Sequence, residues 1–98
     1  MAREPGQDPP AHDGTIDLLT LTLARPADAL ASARAVLAED PGPYDASVAR
    51  QAVGIVLREF GDVNAGIREL REALRLARLA GSHDREADVL ATLGVALV

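Results

Sequence analysis

With no cysteine to act as nucleophile or thiolate ligand, acid–base or metal chemistry in this 98-residue chain would rest on its two histidines and its carboxylates. His12 lies in a stretch rich in proline and glycine, and His83 lies in a Gly-Ser-His-Asp loop. Neither has a second imidazole, a nucleophile or a metal-ligand pattern at useful spacing, whereas working sites cluster groups that perturb one another. Asp84 and Asp88 stand one helical turn apart, but at a helix start they serve to offset the positive end of the backbone dipole. Gly54 and Gly94 lack the Gly-Lys-Ser/Thr context of a phosphate loop. The expectation is a chain with no catalytic residue, no metal site and no cofactor.

Charge narrows the partners. The formal net charge is −5 and the isoelectric point is near 4.8, so no general attraction to nucleic acid or to anionic lipid is expected. All ten basic residues are arginine. With the abundance of alanine, this resembles translation from a GC-rich genome, which discounts arginine counts as a functional signal. Residues 1–14 are expected to be a disordered lead-in, because their prolines, glycines and acidic residues offer no face to bury. They also lack the apolar run of at least ~7 residues that a secretory signal needs. The longest apolar stretch, at residues 89–98, is far shorter than the roughly 20 residues that span a bilayer, so no membrane partner and a cytoplasmic location are expected.

The elements follow from composition and punctuation. Hydrophobic residues make up 48% of the chain but aromatic residues only 2%, Tyr44 and Phe60. A core of small side chains suits closely packed helices better than a sandwich or barrel, so an all-α fold of antiparallel helix pairs is expected over residues 15–98. Five helices are predicted. The first covers residues 15–24, and the second starts at Pro26 and ends near residue 39, before Asp40-Pro41-Gly42-Pro43. The third spans residues 45–60 with Asp45 as cap and Gly61 as terminator. Asp62 caps the fourth, which runs to residue 80, and Ser82 or Asp84 caps a fifth that continues to the chain end.

On the fourth helix, Ile67, Leu70, Leu74 and Ala77 form an apolar stripe, with Arg68, Arg71, Arg75 and Arg78 on other faces. Glu72 is placed to pair with Arg68 and Arg75, each pair worth about 0.2–0.5 kcal/mol. The basic row is read as a solvated face in preference to a site for an acidic partner.

Two segments repeat. Gln51-Ala52-Val53-Gly54 and Ala91-Thr92-Leu93-Gly94 each place an aliphatic residue before a glycine, 40 residues apart, with a leucine three positions later. A glycine inside a helix costs about 1 kcal/mol relative to alanine, so both are expected to lie mid-helix where a neighbouring backbone passes. The partner helices match at an offset of 37, Ala29, Ala33 and Val36 with Gly66, Leu70 and Ala73.

With these residues in view, the chain resembles the tetratricopeptide repeat family. Val53 and Gly54 fit its aliphatic-glycine step, Gly66 its small residue, Leu70 its bulky residue and Ala73 its second small residue. Ala29 and Pro41 fit the upstream unit, and Leu93 with Gly94 fit a third. Arg50, Leu57 and Arg78 replace the tryptophan, tyrosine and proline common in the family. The linkers and the run from Arg85 to Gly94 also look like the N-terminal repeats of actinobacterial CHAT-domain proteins, which are similar to caspase-like peptidases. Without cysteine, only the scaffold role of those repeats is implied.

The resemblance implies two helix pairs plus the first helix of a third, stacked as a short superhelix with an inner wall that takes a protein or peptide partner. Gln51, Ile55, Arg58 and Glu59 on the third helix, with Asp88, Ala91 and Val95 on the fifth, are the candidate binding positions. Ile55 and Val95 serve equally well as core between repeats. The fifth helix leaves Val89, Leu93 and Leu97 to be covered either by further repeats of a longer protein or by self-association. The function implied is a protein-interaction scaffold at the N-terminus of a longer signalling or peptidase-linked protein. The alternative is a small helical dimerisation or regulatory module without a peptide groove.

Overall fold

Every element in the computed structural model is a helix, and the description covers residues 11–94, with side chains from Leu18 onward. The helices are α1 (Ala11–Ala24), α2 (Pro26–Ala38), α3 (Pro43–Phe60), α4 (Val63–Leu79) and α5 (His83–Leu93). The fold is therefore all-α, as expected. Its boundaries follow local chemistry. Pro26 and Pro43 stand in the first turns of α2 and α3, where a missing N–H leaves nothing unpaired. The Asp62 carboxylate accepts from the backbone N–H groups of Asn64 at 3.0 Å and Ala65 at 3.2 Å, and the Ser82 hydroxyl accepts from Arg85 N–H at 3.2 Å. At the end of α4, Gly81 takes a left-handed φ of 69°, Gly81 N–H donates to Arg78 C=O and Ser82 N–H to Ala77 C=O. That pair of bonds closes the helix on its last carbonyls.

Three expectations need correction. α1 starts at Ala11, so residues 11–14, His12 among them, belong to a helix and not to the lead-in; residues 1–10 lie outside the described residues. The lack of a face to bury does not by itself end a helix: once residues 15–24 are helical, each added residue gains a backbone hydrogen bond without a new nucleation cost, and this carries the helix through poor helix formers such as His12 and Gly14. Asp45 does not cap α3, since the capping position is Gly42 and Asp45 falls in the first turn, where its charge suits the dipole. Gly94 is not mid-helix: α5 stops at Leu93, and Gly94 caps it with φ 72° and ψ 21°. Glycine is the residue that enters this left-handed region without steric strain. The expected course of the fifth helix beyond this point, with Val95 and Leu97, lies outside the described residues.

Packing gives the direction of each helix. Across α3 and α4, Ser47 bonds to Ala73, Arg50 to Glu69, and the backbone of Gly54 and Arg58 meets that of Gly66. Rising numbers on α3 meet falling numbers on α4, so the two are antiparallel. Across α3 and α5, Ser47 meets Arg85, Gln51 meets Asp88 and Thr92, and Arg58 meets Thr92. Here both rise together, so α5 runs parallel to α3. The core of the first half joins Leu18 of α1, Ala29 and Ala33 of α2, and Ala49, Ala52, Val53 and Val56 of α3. On the other side of α3 lies the buried face of α4, made by Gly66, Leu70, Ala73 and Ala77.

The closest approach explains two glycines. A Cβ on Gly54 would lie 2.7 Å from Leu70 Cγ, and one on Gly66 would lie 2.6 Å from the Arg58 backbone nitrogen. Both are far inside van der Waals contact, so α3 and α4 meet at this depth only because neither residue has a side chain. Among the described residues, nothing lies within 4 Å of the corresponding position on Gly94. The sequence likeness between Gly54 and Gly94 therefore covers two different tasks, helix contact and helix termination.

Candidate functional site

The candidate binding positions do not form one open wall. Gln51 was expected to face a partner, but it is 2% exposed and its hydrogen-bonding groups are committed inside the chain. Its amide nitrogen donates to Thr92 Oγ1 at 2.8 Å and to Asp88 Oδ2 at 3.3 Å, and its amide oxygen accepts from Arg85 Nη2. Arg58 reaches the same helix, donating through Nη1 to the backbone carbonyl of Thr92 and through Nε to Glu59 Oε2 at 3.2 Å. Both residues thus bind α5. The remaining candidates differ: Ile55 is half-buried, while Glu59 and Asp88 are exposed.

Three residues that sequence reasoning passed over complete the arrangement. Arg85 is 5% exposed, and it donates through Nη1 to Asp88 Oδ2 at 2.8 Å and through Nη2 to Ser47 Oγ at 3.5 Å. Ser47, fully buried, donates its own proton to Ala73 C=O at 2.9 Å, which ties α4 into the same network. Thr92 passes the chain of bonds back by donating to Asp88 C=O at 3.1 Å. A buried cation needs a paired charge and hydrogen bonds, and Asp88, whose side chain is 51% exposed, supplies the charge from the solvent edge. Arg85 Nε is buried without a hydrogen-bond partner.

The electrostatics follow from helix direction. Because α3 and α5 are parallel, their negative C-terminal ends lie side by side, and the Arg58 guanidinium, in the last turn of α3, reaches one of the last carbonyls of α5. One cation therefore offsets both helix ends. Arg85, in contrast, sits near the positive end of α5, where Asp84 and Glu86 share the first turn. The network is an interhelical latch. A signal for it exists in the sequence: its α3–α5 pairs span 34 to 41 residues, close to the 40-residue spacing of the glycine segments.

The positions on which the repeat resemblance rests fall as follows. Ala29, Val53, Leu70 and Ala73 are buried, as is Gly66. Pro41 and Leu93 are half-buried, the former in the linker between α2 and α3. His83, at the start of α5, has a side chain 98% exposed, 3.9 Å from Glu86. On α4, Arg75 donates to Glu72 at 2.9 and 2.6 Å, and this bond, with the Arg75 and Arg50 charges, holds the Glu72 carboxyl below its ordinary range against a smaller effect of burial. Among the described residues, no helix is long and apolar enough to cross a membrane, and no three His, Cys, Asp or Glu side chains gather as a metal site would require. Comparison with family models, with curated proteins and with solved structures gave no match.

Proposed function

We propose that this chain is a protein-interaction scaffold of the tetratricopeptide-repeat type, working in the cytoplasm as the N-terminal part of a longer signalling or peptidase-linked protein. One observation carries the reading: α3 and α4 form an antiparallel pair closed on Gly54 and Gly66, and α5 begins the next layer parallel to α3. Helical pairs stacked in this way build a continuous surface from successive units, which suits extended partners and offers no enclosed site for a reaction. Gln51 and Arg58 leave the list of partner contacts and become the joint between layers. The inner face is carried by Ile55, Glu59, Asp88 and Ala91.

Photo-crosslinking side chains placed at Glu59 and Ala91, both exposed, test the reading in the source cells. A heterologous polypeptide captured at both positions, and absent when the label stands at Arg34 of α2, is the expected result. Capture of the chain by itself alone would favour the dimerisation module. Absence of any adduct would remove the scaffold reading.

A further inference from the structure

The outward side of α4, whose basic row the sequence pattern alone assigns to solvent, differs from the rest of the molecule. Arg68, Arg71, Arg75 and Arg78 follow one another at intervals of three, four and three residues. At 100° per residue those intervals hold the four side chains within about 80° of arc over about 15 Å of helix. Directly opposite lie Gly66, Leu70, Ala73 and Ala77 in the core, so the stripe points away from the protein, and all four arginines are exposed. Leu79, one turn beyond Arg75, ends the same stripe and is 65% exposed.

Charge is unevenly spread. Residues 1–46 carry eight carboxylates against three arginines, while residues 47–98 hold seven of each, so the whole net charge of −5 resides in the first part. The stripe thus lies in a neutral half with its positive charge gathered on one face. Glu72 and Glu86 hold Arg75 and Arg78 at 2.6 and 2.8 Å. Among the described residues, no carboxylate pairs with Arg68 or Arg71.

We propose that this face of α4 is a docking surface for an acidic amphipathic helix of a partner protein, whose carboxylates recur at spacings of three and four and whose apolar side chain covers Leu79. The proposal rests on the scaffold reading and adds an outer face to it. Charge complementarity selects the occupant: two helices side by side meet through residues at such spacings, and guanidinium forks match carboxylates with two bonds each. Leu79 provides an apolar anchor beside the charged rim. A nucleic acid fits less well. The carboxylates of Glu72 and Glu86 stand among the arginines, the exposed leucine has no counterpart on a phosphate backbone, and the molecule as a whole is acidic.

The test uses the full chain and three labelled probes followed by fluorescence anisotropy. The first is a synthetic alanine-rich helix with glutamates at the matching intervals and a leucine one turn beyond. The second is an isomer of the same composition with its glutamates spread around the helix, and the third is a single-stranded RNA of equal charge. The patterned helix is expected to bind at least about tenfold more tightly than its isomer and more tightly than the RNA, with affinity falling as salt rises. The double variant R68Q/R71Q should lose about tenfold, and Leu79→Ser should weaken binding at every salt concentration. Arg34→Gln, an exposed change on α2, should leave it unchanged. Equal binding of the two helices, tighter binding of the RNA, or indifference to R68Q/R71Q would overturn the proposal. Partner capture at Glu59 and Ala91 that survives R68Q/R71Q, with no preference for the patterned helix, would sink the stripe and leave the scaffold standing.

Discussion

At Gly54 and Gly66 one hydrogen in place of a methyl group sets how closely α3 and α4 approach, and the two positions answer differently to the same substitution. A Cβ on Gly54 meets the Leu70 side chain at 2.7 and 2.8 Å and backbone only at the Gly66 carbonyl oxygen, at 3.0 Å, whereas a Cβ on Gly66 meets the backbone of Arg58 at 2.6 and 2.9 Å and the Gly54 carbonyl oxygen at 2.8 Å. A side chain can turn aside, but a helix backbone moves only as a whole. Alanine also favours the helix by about 1 kcal/mol over glycine, which offsets part of the clash. Gly66→Ala is therefore expected to lower unfolding stability by about 1–3 kcal/mol and Gly54→Ala by clearly less, as read from urea midpoints. Equal losses would mean that Leu70 is as immobile as the backbone. Gln51 gives a second prediction at this scale. As an inner-wall residue it would be replaced without loss of stability, but as the centre of the latch it is not replaceable. Gln51→Ala removes a partner from buried Arg85, and a thermal or urea unfolding curve should show a loss of about 1–3 kcal/mol. An unchanged curve would restore Gln51 to the list of binding residues.

Between residue and fold stands the helix, where the sequence was most legible. The starts of α2, α4 and α5 follow from Pro26, Asp62 and Ser82, and the end of α4 from Gly81, because caps and prolines act within a few residues of themselves. The stripe of α4 was legible for the same reason, since its period is local. What escaped was long-range. The period of α3 says that a face is covered and not by what, so a glutamine on that face was assigned to solvent, although a helix 37 residues later buries it. Gly94 matched Gly54 by its neighbours and differs by its backbone angle, which no neighbour fixes. Of the candidate binding positions, Glu59 and Asp88 are exposed, while the latch residues Ser47, Arg85 and Thr92 required the pairing of α3 with α5. On α4, the pair Glu72–Arg75 gives a pH prediction. The folded-state pKa of Glu72 is lowered from 4.5, so the pair stabilises α4 above that pH and its contribution fades as pH falls through the lower folded value. The side chain of Glu72 is 38% exposed, and solvent screening keeps the effect near the usual 0.2–0.5 kcal/mol of a helix-surface pair, which is about 1–4 °C in a domain of this size. Glu72→Gln should therefore melt at a lower temperature than the parent at pH 7, and the two melts should converge in acid, once the Glu72 carboxyl is protonated in the folded state as well. A difference that persists at that acidity would assign the effect to packing.

For the molecule as a whole, stability depends on how each layer is covered. α3 is packed on α1, α2, α4 and α5, and nine of its residues are buried, whereas α5 buries only Arg85 and Val89 among the described residues. A helix with one fully buried apolar side chain, two half-buried leucines and a polar latch gains less from burial than α3, because hydrogen bonds exchanged for those with water contribute about 0.5–1.5 kcal/mol each. In stacked helical arrays each layer is stabilised chiefly by its neighbours, so a layer with few buried residues opens without requiring the rest to unfold. Amide hydrogen exchange under conditions that report opening equilibria should consequently separate the two. Amides of α5 are expected to exchange through a partial opening at least about tenfold more populated than the opening that exposes the centre of α3, a difference of about 1.4 kcal/mol. The latch makes this opening specific: Gln51→Ala and Arg58→Gln should speed exchange in α5 while leaving the α1–α2 segment unchanged, because among the described residues neither side chain hydrogen-bonds to that half. If α5 instead exchanges together with α3 in a single global event, the five helices form one cooperative unit, and the latch couples the layers more strongly than its individual bonds imply.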